Sequence, residues 1–304
     1  MNTYRCIILI LCIIALYAPL AAAAQGAEGS PKVLNNIVYA RIGDRALHVN
    51  LIMPPDYETK QYPAVIWVHG GGWQGGSYMD DLAGAFKIFG KGFVTGSIEY
   101  RLSQEAKYPA QINDCKAAIR FLRANAKKYG IDPNRIGVWG GSAGGHLVAL
   151  MGTTGGVKQL EGDVGKYVDT SSEVQAVCDL FGPTEFTEAT MKEYIPAVQA
   201  MIEGLLGGPI SEKRGLARLA SPINFASKDD PPMLILHGDQ DPLVPMNQSD
   251  KLYDVLKKAG VDVTLVKVKG ASHGFAAVQK SDPSFEEVTK MIQDFFVRTL
   301  VEKK

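Results

Sequence analysis

A mostly parallel α/β sheet covered by helices on both faces, with an antiparallel hairpin at its N-terminal edge and a small cap insert, is the fold the sequence predicts. Three observations predict it. From Ala64 onward, short apolar runs alternate with segments of helical periodicity, and such alternation builds parallel sheets buried on both sides. Two earlier runs, Ile37–Arg41 and Leu47–Met53, lie close enough in the chain to pair as a hairpin. The interval 183–232 breaks the rhythm with amphipathic pieces near Met191–Leu206 and a Gly207-Gly208-Pro209 stop. An insert over about 183–220 would cap the carboxyl edge of the sheet, where open α/β folds bind ligands.

The elements follow in order. AVIWVH (64–69) and FVTGSI (93–98) read as buried strands, with helical spacing from Asp80 to Lys91 between them. Ile112, Cys115, Ile119, Leu122, Ala126 and Tyr129 recur at steps of three and four, which predicts a helix stopped by Gly130. RIGVWG (135–140) is the next strand, and His146–Gly152 the next helix. VQAVCDLF (174–181), MLILHG (233–238) and VTLVKV (263–268) complete the strands, with a helix through Leu252, Val255, Leu256 and Ala259 before the last of them. Ser284 and Glu287 form a capping box that opens a final helix carrying Val288, Met291, Ile292, Phe295 and Phe296.

With 46% hydrophobic and 21% charged residues, the 304-residue chain can bury a sizeable globular core. Lys+Arg and Asp+Glu balance at 32 each and form no basic block, which argues against nucleic acid as a partner. The N-terminus reads differently: Arg5, an apolar run from Cys6 to Ala18, Pro19, then Ala22 and Ala24. That is the pattern of a secretory signal peptide over 1–24. It predicts a single domain over 25–304, a secreted or periplasmic location and no stable membrane insertion after cleavage. The same run kept uncleaved would be an anchor. Cys6 and Cys12 lie in the leader; Cys115 and Cys178 permit one disulfide without implying it.

Gly140-Gly141-Ser142-Ala143-Gly144 matches G-x-S-x-G between a strand and a helix, where a serine on a sharp turn can serve as a nucleophile. A serine hydroxyl needs a base, and the base needs an orienter. Of five histidines, His48 lies in the hairpin, His146 on the helix after the serine, and His69 and His237 in strand-end turns suited to loop hydrogen bonding. His273 alone sits in a late loop between the last strand and the last helix. Asp241, in HGDQDPLVP, is the favoured acid; Asp239 suits the turn itself, and Glu185 is a weaker substitute. The order Ser142, Asp241, His273 is one of three known chain orders for such a triad. Gly71 and Gly72, with Ala143, offer backbone N–H groups for an oxyanion. A rival reading takes Gly70, Gly72 and Gly75 as a dinucleotide fingerprint with Glu99 as the ribose ligand. That fingerprint needs a helix to begin at the glycines, and Trp73, Gln74, Gly76, Ser77 and Tyr78 intervene.

HGGGW (69–73), EYRLS (99–103), YPAQINDCKAAIRFL (108–122), DPNRIGVWGGSAGGHL (132–147), DLFGPTEF (179–186), HGDQDPLVP (237–245) and GASHGF (270–275) together resemble α/β-hydrolase esterases of the hormone-sensitive-lipase type. Within them the chain is most similar to secreted carbohydrate esterases of the acetylxylan and feruloyl kind, the BD-FAE-like group. The resemblance implies Ser142, Asp241 and His273 as the triad, and Gly71, Gly72 and Ala143 as the oxyanion hole. It implies an ester substrate, small or linked to polysaccharide, and neither metal nor organic cofactor; peptidases and amidases share the group. Trp73 and Tyr78 are candidates for an apolar or sugar-stacking wall. Asn247-Gln248-Ser249 is a glycosylation sequon.

Overall fold

The computed structural model describes residues 29–79, 88–275 and 277–302. The leader read over 1–24 lies outside the described residues, as does the predicted helix of Asp80–Lys91 over residues 80–87. The strands are β1 (Lys32–Ile42), β2 (Arg45–Met53), β3 (Tyr62–Val68), β4 (Val94–Ile98), β5 (Ile131–Gly141), β6 (Ala176–Leu180), β7 (Met233–Gly238), β8 (Val263–Ala271) and β9 (Ala277–Asp282). They form one sheet in the order β1-β2-β4-β3-β5-β6-β7-β8-β9. From β4 to β8 the neighbours run parallel, while β1 and β2 on one edge and β9 on the other are antiparallel.

Position in the sheet explains the composition of the strands. Every residue of β4 and β6 is buried, as strands covered on both faces require. The edge strand β1 alternates between exposed and half-buried over most of its length. Strand β9 was not anticipated; AVQKSD carries no alternation that separates a strand from a loop, and pairing with β8 forms it.

The helices are α1 (Ala110–Ala124), α2 (Ala143–Thr153), α3 (Glu188–Met191), α4 (Pro196–Leu206), α5 (Ile210–Leu219), α6 (Asn247–Ala259) and α7 (Phe285–Leu300). Helix α1 is shorter than its periodicity predicted. The apolar face continues through a 3-10 turn, Ala126–Tyr129, and Gly130 stops it in the left-handed region at φ 63°. On one face of the sheet Ile112, Ile119 and Leu122 of α1 join Leu147 and Leu150 of α2 and Leu252 and Leu256 of α6 in a single core. On the other face α7 contributes Val288, Ile292, Phe296 and Leu300. Cys115 belongs to the first core and Cys178 to the second, and both are free thiols. The sheet separates them, so the permitted disulfide is not made.

Helices α3, α4 and α5 occupy 188–219, between β6 and β7. Tyr108 N–H donates to Leu205 O at 3.0 Å, and Tyr108 hydroxyl donates to Leu219 O at 2.7 Å, tying this segment to the loop before α1.

Candidate active site

Ser142 lies between the end of β5 and the first turn of α2, with φ 57° and ψ −120°. A residue with a side chain holds such a backbone only when its surroundings over-determine it. Here they do. Ser142 N–H donates to Leu180 O, and Ser142 O accepts from His146 N–H, both at 2.9 Å. Gly144 lets α2 close on the sheet, because a Cβ at that position would overlap the Val68 carbonyl oxygen. The serine itself is half-buried.

The loops after β7 and β8 bring Asp241 and His273 together, with Oδ2 and Nδ1 2.7 Å apart. The side chain of Asp241 is fully buried, and its Oδ1 accepts from the N–H groups of Leu243 and Val244 at 2.8 and 3.0 Å. Burial alone would raise its carboxyl, but hydrogen bonds from His237 and His273, the charge of His273 and the Val244 amide outweigh that and hold it well below the usual range. An ionised carboxylate only accepts, so Nδ1 of His273 carries a hydrogen, and in the neutral ring Nε2 presents a lone pair. Phe181, at φ 47°, links this pair to the serine turn. Its ring is 4.6 Å from that of His273, edge to face, and 3.2 Å from where a side chain on Gly141 would begin.

The loop leaving β3 supplies the opposite wall. A Cβ on Gly70 would sit 3.5 Å from Ser142 Cβ, which places this loop against the serine. Gly71 has φ 103°, and a side chain there would strike the Gly75 carbonyl. Among the described residues, the N–H groups of Gly71 and Gly72 have no hydrogen-bond partner, and that of Ala143 is one of the unsatisfied donors at the start of α2. Three donors beside one serine, with the positive end of a helix dipole, suit developing negative charge. Met201 of α4 covers Gly72, its Sδ 2.6 Å from the position a Cβ would take. Nothing in the sequence marked Met201, because which residue of an amphipathic helix meets a distant glycine is decided by packing.

Trp73 is a correction, and Tyr78 has partners of its own. Trp73 is 2% exposed, and its Nε1–H donates to His146 Nδ1 at 3.2 Å, so the indole points into the core and packs edge-on to Phe186. Tyr78 stacks on His48 at 5.8 Å and donates to Asn36 Oδ1 at 2.8 Å, which places it over the β1–β2 hairpin. An aromatic residue beside a glycine loop reads the same in sequence whichever way it points. His146 is pushed down to about 4 by burial, against the opposing pull of its hydrogen bond to Ala220 O, and is neutral. Since its Nδ1 accepts from Trp73, its Nε2–H donates to Ala220 O at 2.7 Å. One ring thus clasps the glycine loop after β3, helix α2 and the end of α5.

Other expectations sort by geometry. Asp239 accepts from Gly270 N–H at 2.7 Å, a turn role, while Glu185 is paired with Lys251 at 2.8 Å. The dinucleotide reading fails on two counts. Gln74 and Gly75 turn back onto Gly71 O, so no helix begins at these glycines, and Glu99 is held by Arg45 and His48. In the sequon, Ser249 is fully buried and hydrogen-bonded to His237, so the serine has a packing role. His237 makes the loop hydrogen bond expected of it, its Nε2 lying 3.0 Å from Val244 O, and the same nitrogen also lies 3.2 Å from Asp241 Oδ2.

A strained serine at the carboxyl rim of a mostly parallel sheet, faced by an acid and a histidine from later loops, places the protein in the α/β-hydrolase class. The chain belongs to the family described as BD-FAE, whose model matches residues 50–256, and the model of the dienelactone hydrolase family matches 214–300. It is 34% identical to Esterase LipC of Mycobacterium tuberculosis over 222 residues, 72% of this chain and 55% of that protein. The chain thus spans about half the length of that relative. A truncated carbohydrate esterase from gut microbiota superposes with TM-score 0.74 at 34% identity, covering 90% of this chain and 98% of that one. Thermogutta terrifontis esterase 2, phosphonylated by sarin, gives 0.75 at 26% identity, with 93% and 100% covered.

Proposed function

We propose that this chain is a secreted serine ester hydrolase working through an acyl-enzyme, and that its substrates are short acyl or feruloyl esters on plant polysaccharide. The observation that carries the reading is Ser142, forced to φ 57° between a loop of unpaired N–H groups and the loops that bear the Asp241–His273 pair. The names of the similar proteins, esterases and a carbohydrate esterase, support it, and phosphonylation of the Thermogutta relative fits esterase chemistry.

The geometry assigns each step. Ser142 Oγ attacks the ester carbonyl carbon as His273 Nε2 takes its proton. The carbonyl electrons move onto oxygen, which the N–H groups of Gly71, Gly72 and Ala143 stabilise. Collapse breaks the bond to the leaving alcohol, which receives the proton from His273 and departs. Water then attacks the acyl-serine by the same route, releasing the carboxylic acid and restoring Ser142. Asp241 keeps the proton on Nδ1 throughout.

The test sets residues 25–304 and their Ser142→Ala variant side by side on acetyl, feruloyl and longer acyl esters of a sugar and of a simple alcohol. The unsubstituted protein should turn over acetyl or feruloyl sugar esters, and the variant should lose at least about 10⁴-fold in kcat. Equal rates would overturn the serine mechanism. Activity confined to long acyl chains on simple alcohols would overturn the polysaccharide assignment, and an exported protein that does not begin at Gln25 would overturn the leader.

A further inference from the structure

Asp241 carries a second histidine. His237, near the end of β7, is fully buried, and its Nε2 lies 3.2 Å from the same Oδ2 that receives the N–H of His273. The same Nε2 is 3.0 Å from Val244 O, and the other ring nitrogen, Nδ1, is 2.7 Å from Ser249 Oγ on α6. Both partners of Nε2 are acceptors only, so Nε2 carries a hydrogen whatever the charge on the ring. Nδ1 meets a hydroxyl, which can either donate or accept. The ring is therefore held in one place in both protonation states.

A buried histidine that merely fills the core would need partners, but not these. The hydrogen on His237 Nε2 is directed at one carbonyl and at the single oxygen that orients the base. The turn 241–244 closes the arrangement on itself: Val244 N–H grips Asp241 Oδ1 while Val244 O receives His237. Helix α6 fixes the far side of the ring through Ser249.

We propose that His237 is a positioning residue for the triad, holding Asp241 in place through Oδ2 and drawing off part of the carboxylate charge that would otherwise act on His273. The proposal rests on the triad reading above. The chemical consequence follows from the shared oxygen. Without the His237 donor, the full carboxylate charge would act on His273 and favour its protonated form. The base would then need a higher pH to be free.

Among the described residues, few charged or titratable groups surround His237. Strand β6 contributes Asp179, and the loops contribute Asp241 and His273. The 188–219 segment contributes Tyr194, whose hydroxyl is pushed well above its ordinary range by burial and by nearby carboxylates, Asp241 among them. Ser249 of α6 is uncharged, and the adjacent Asp250 pairs with Lys267 at 2.7 Å. Phe181 closes a further side, its ring 6.4 Å away. Asp179 is pushed up to about 6 by burial, so each measurement is repeated in an Asp179→Asn background.

The test compares His237→Leu, His237→Gln and Ser249→Ala. One readout is the pH dependence of kcat/KM. The other is the Nδ1–H proton resonance of His273 in proteins that also carry Ser142→Ala, which needs no turnover. In His237→Leu the acid limb should move about one pH unit upward and the resonance to lower field, because one hydrogen bond to the carboxylate is lost. His237→Gln, which can still donate, should restore both, and Ser249→Ala should move both in the same direction by less. If His237→Leu does not fold, Ser249→Ala carries the test. A limb and a resonance unmoved in His237→Leu and Ser249→Ala, whatever the loss in rate, would overturn the proposal. A protein that hydrolyses no ester while its resonance still responds to His237 would overturn the esterase reading alone.

Discussion

The two ends of the sheet are built on different terms. Four of the five described non-glycine residues with positive φ, Trp73, Ser142, Phe181 and Phe275, stand at the carboxyl rim; the fifth, Asn36, is on β1. The opposite end, where β5, β6 and β7 begin, holds a cavity of about 570 Å³ lined in part by Arg135, Glu173, Asp229 and Asp230. None of the residues lining that cavity has a positive φ. One end has space without strain, and the other has strain held by close packing. Strained backbone persists only where the surroundings enforce it, and it gathers at functional sites.

Three tests would break or sharpen this contrast, in order of size. Gly71→Ala puts a side chain against the Gly75 carbonyl and should displace one oxyanion donor. We expect kcat to fall about 100-fold with the far-UV spectrum unchanged; an unchanged kcat would move the oxyanion hole elsewhere.

The second is thermodynamic and concerns two buried groups at the rim with opposite signs. His146, pushed down to about 4, is protonated more readily when unfolded, so it opposes folding increasingly as pH falls from its ordinary 6.5 towards 4. Asp179, pushed up to about 6, holds a proton in the folded state that the unfolded chain has released, so it opposes folding increasingly as pH rises from 3.8 to 6. At about 1.4 kcal/mol per pH unit of displacement, each amounts to roughly 3 kcal/mol across its window. Urea titrations should therefore show Asp179→Asn gaining on the unsubstituted protein between pH 4 and 7, and His146→Gln gaining as pH falls over the same range. Parallel stability curves would show that the rim does not hold these groups in their uncharged forms.

The smallest effect belongs to the other end. Arg135 pairs with Asp132 at 2.7 Å on a partly exposed surface, a contact worth about 1 kcal/mol or less. Arg135→Ala should leave kcat/KM within about twofold, since it touches none of the proposed groups. A larger loss would give the basal cavity a role in turnover.

Much of the candidate site was legible because its signals are local. A serine flanked by small residues, three consecutive glycines after a strand, and an acid and a histidine after later strands can each be read within ten residues. What was not legible depends on contacts between distant segments. His237 and His273 both look like loop histidines in sequence, and only the meeting of the turns after β7 and β8 gives them one carboxylate to share. Trp73 was misread because a residue number carries no direction, and its partner, His146, is 73 residues away. Strand β9 escaped notice because its pairing with β8, not its own composition, makes it a strand.

The sequence by itself determined the alternation of strands and helices, the glycines that allow close approach, and the chain order of Ser142, Asp241 and His273. These follow from local sterics and hydrophobic periodicity, which act over a few residues. Tertiary structure alone decided which side of the sheet each cysteine occupies, which aromatic rings turn inward, which methionine covers the glycine loop and how many imidazoles Asp241 serves. Those outcomes depend on the register and packing of segments far apart in the chain, where one oxygen atom can be claimed by two residues 36 positions apart.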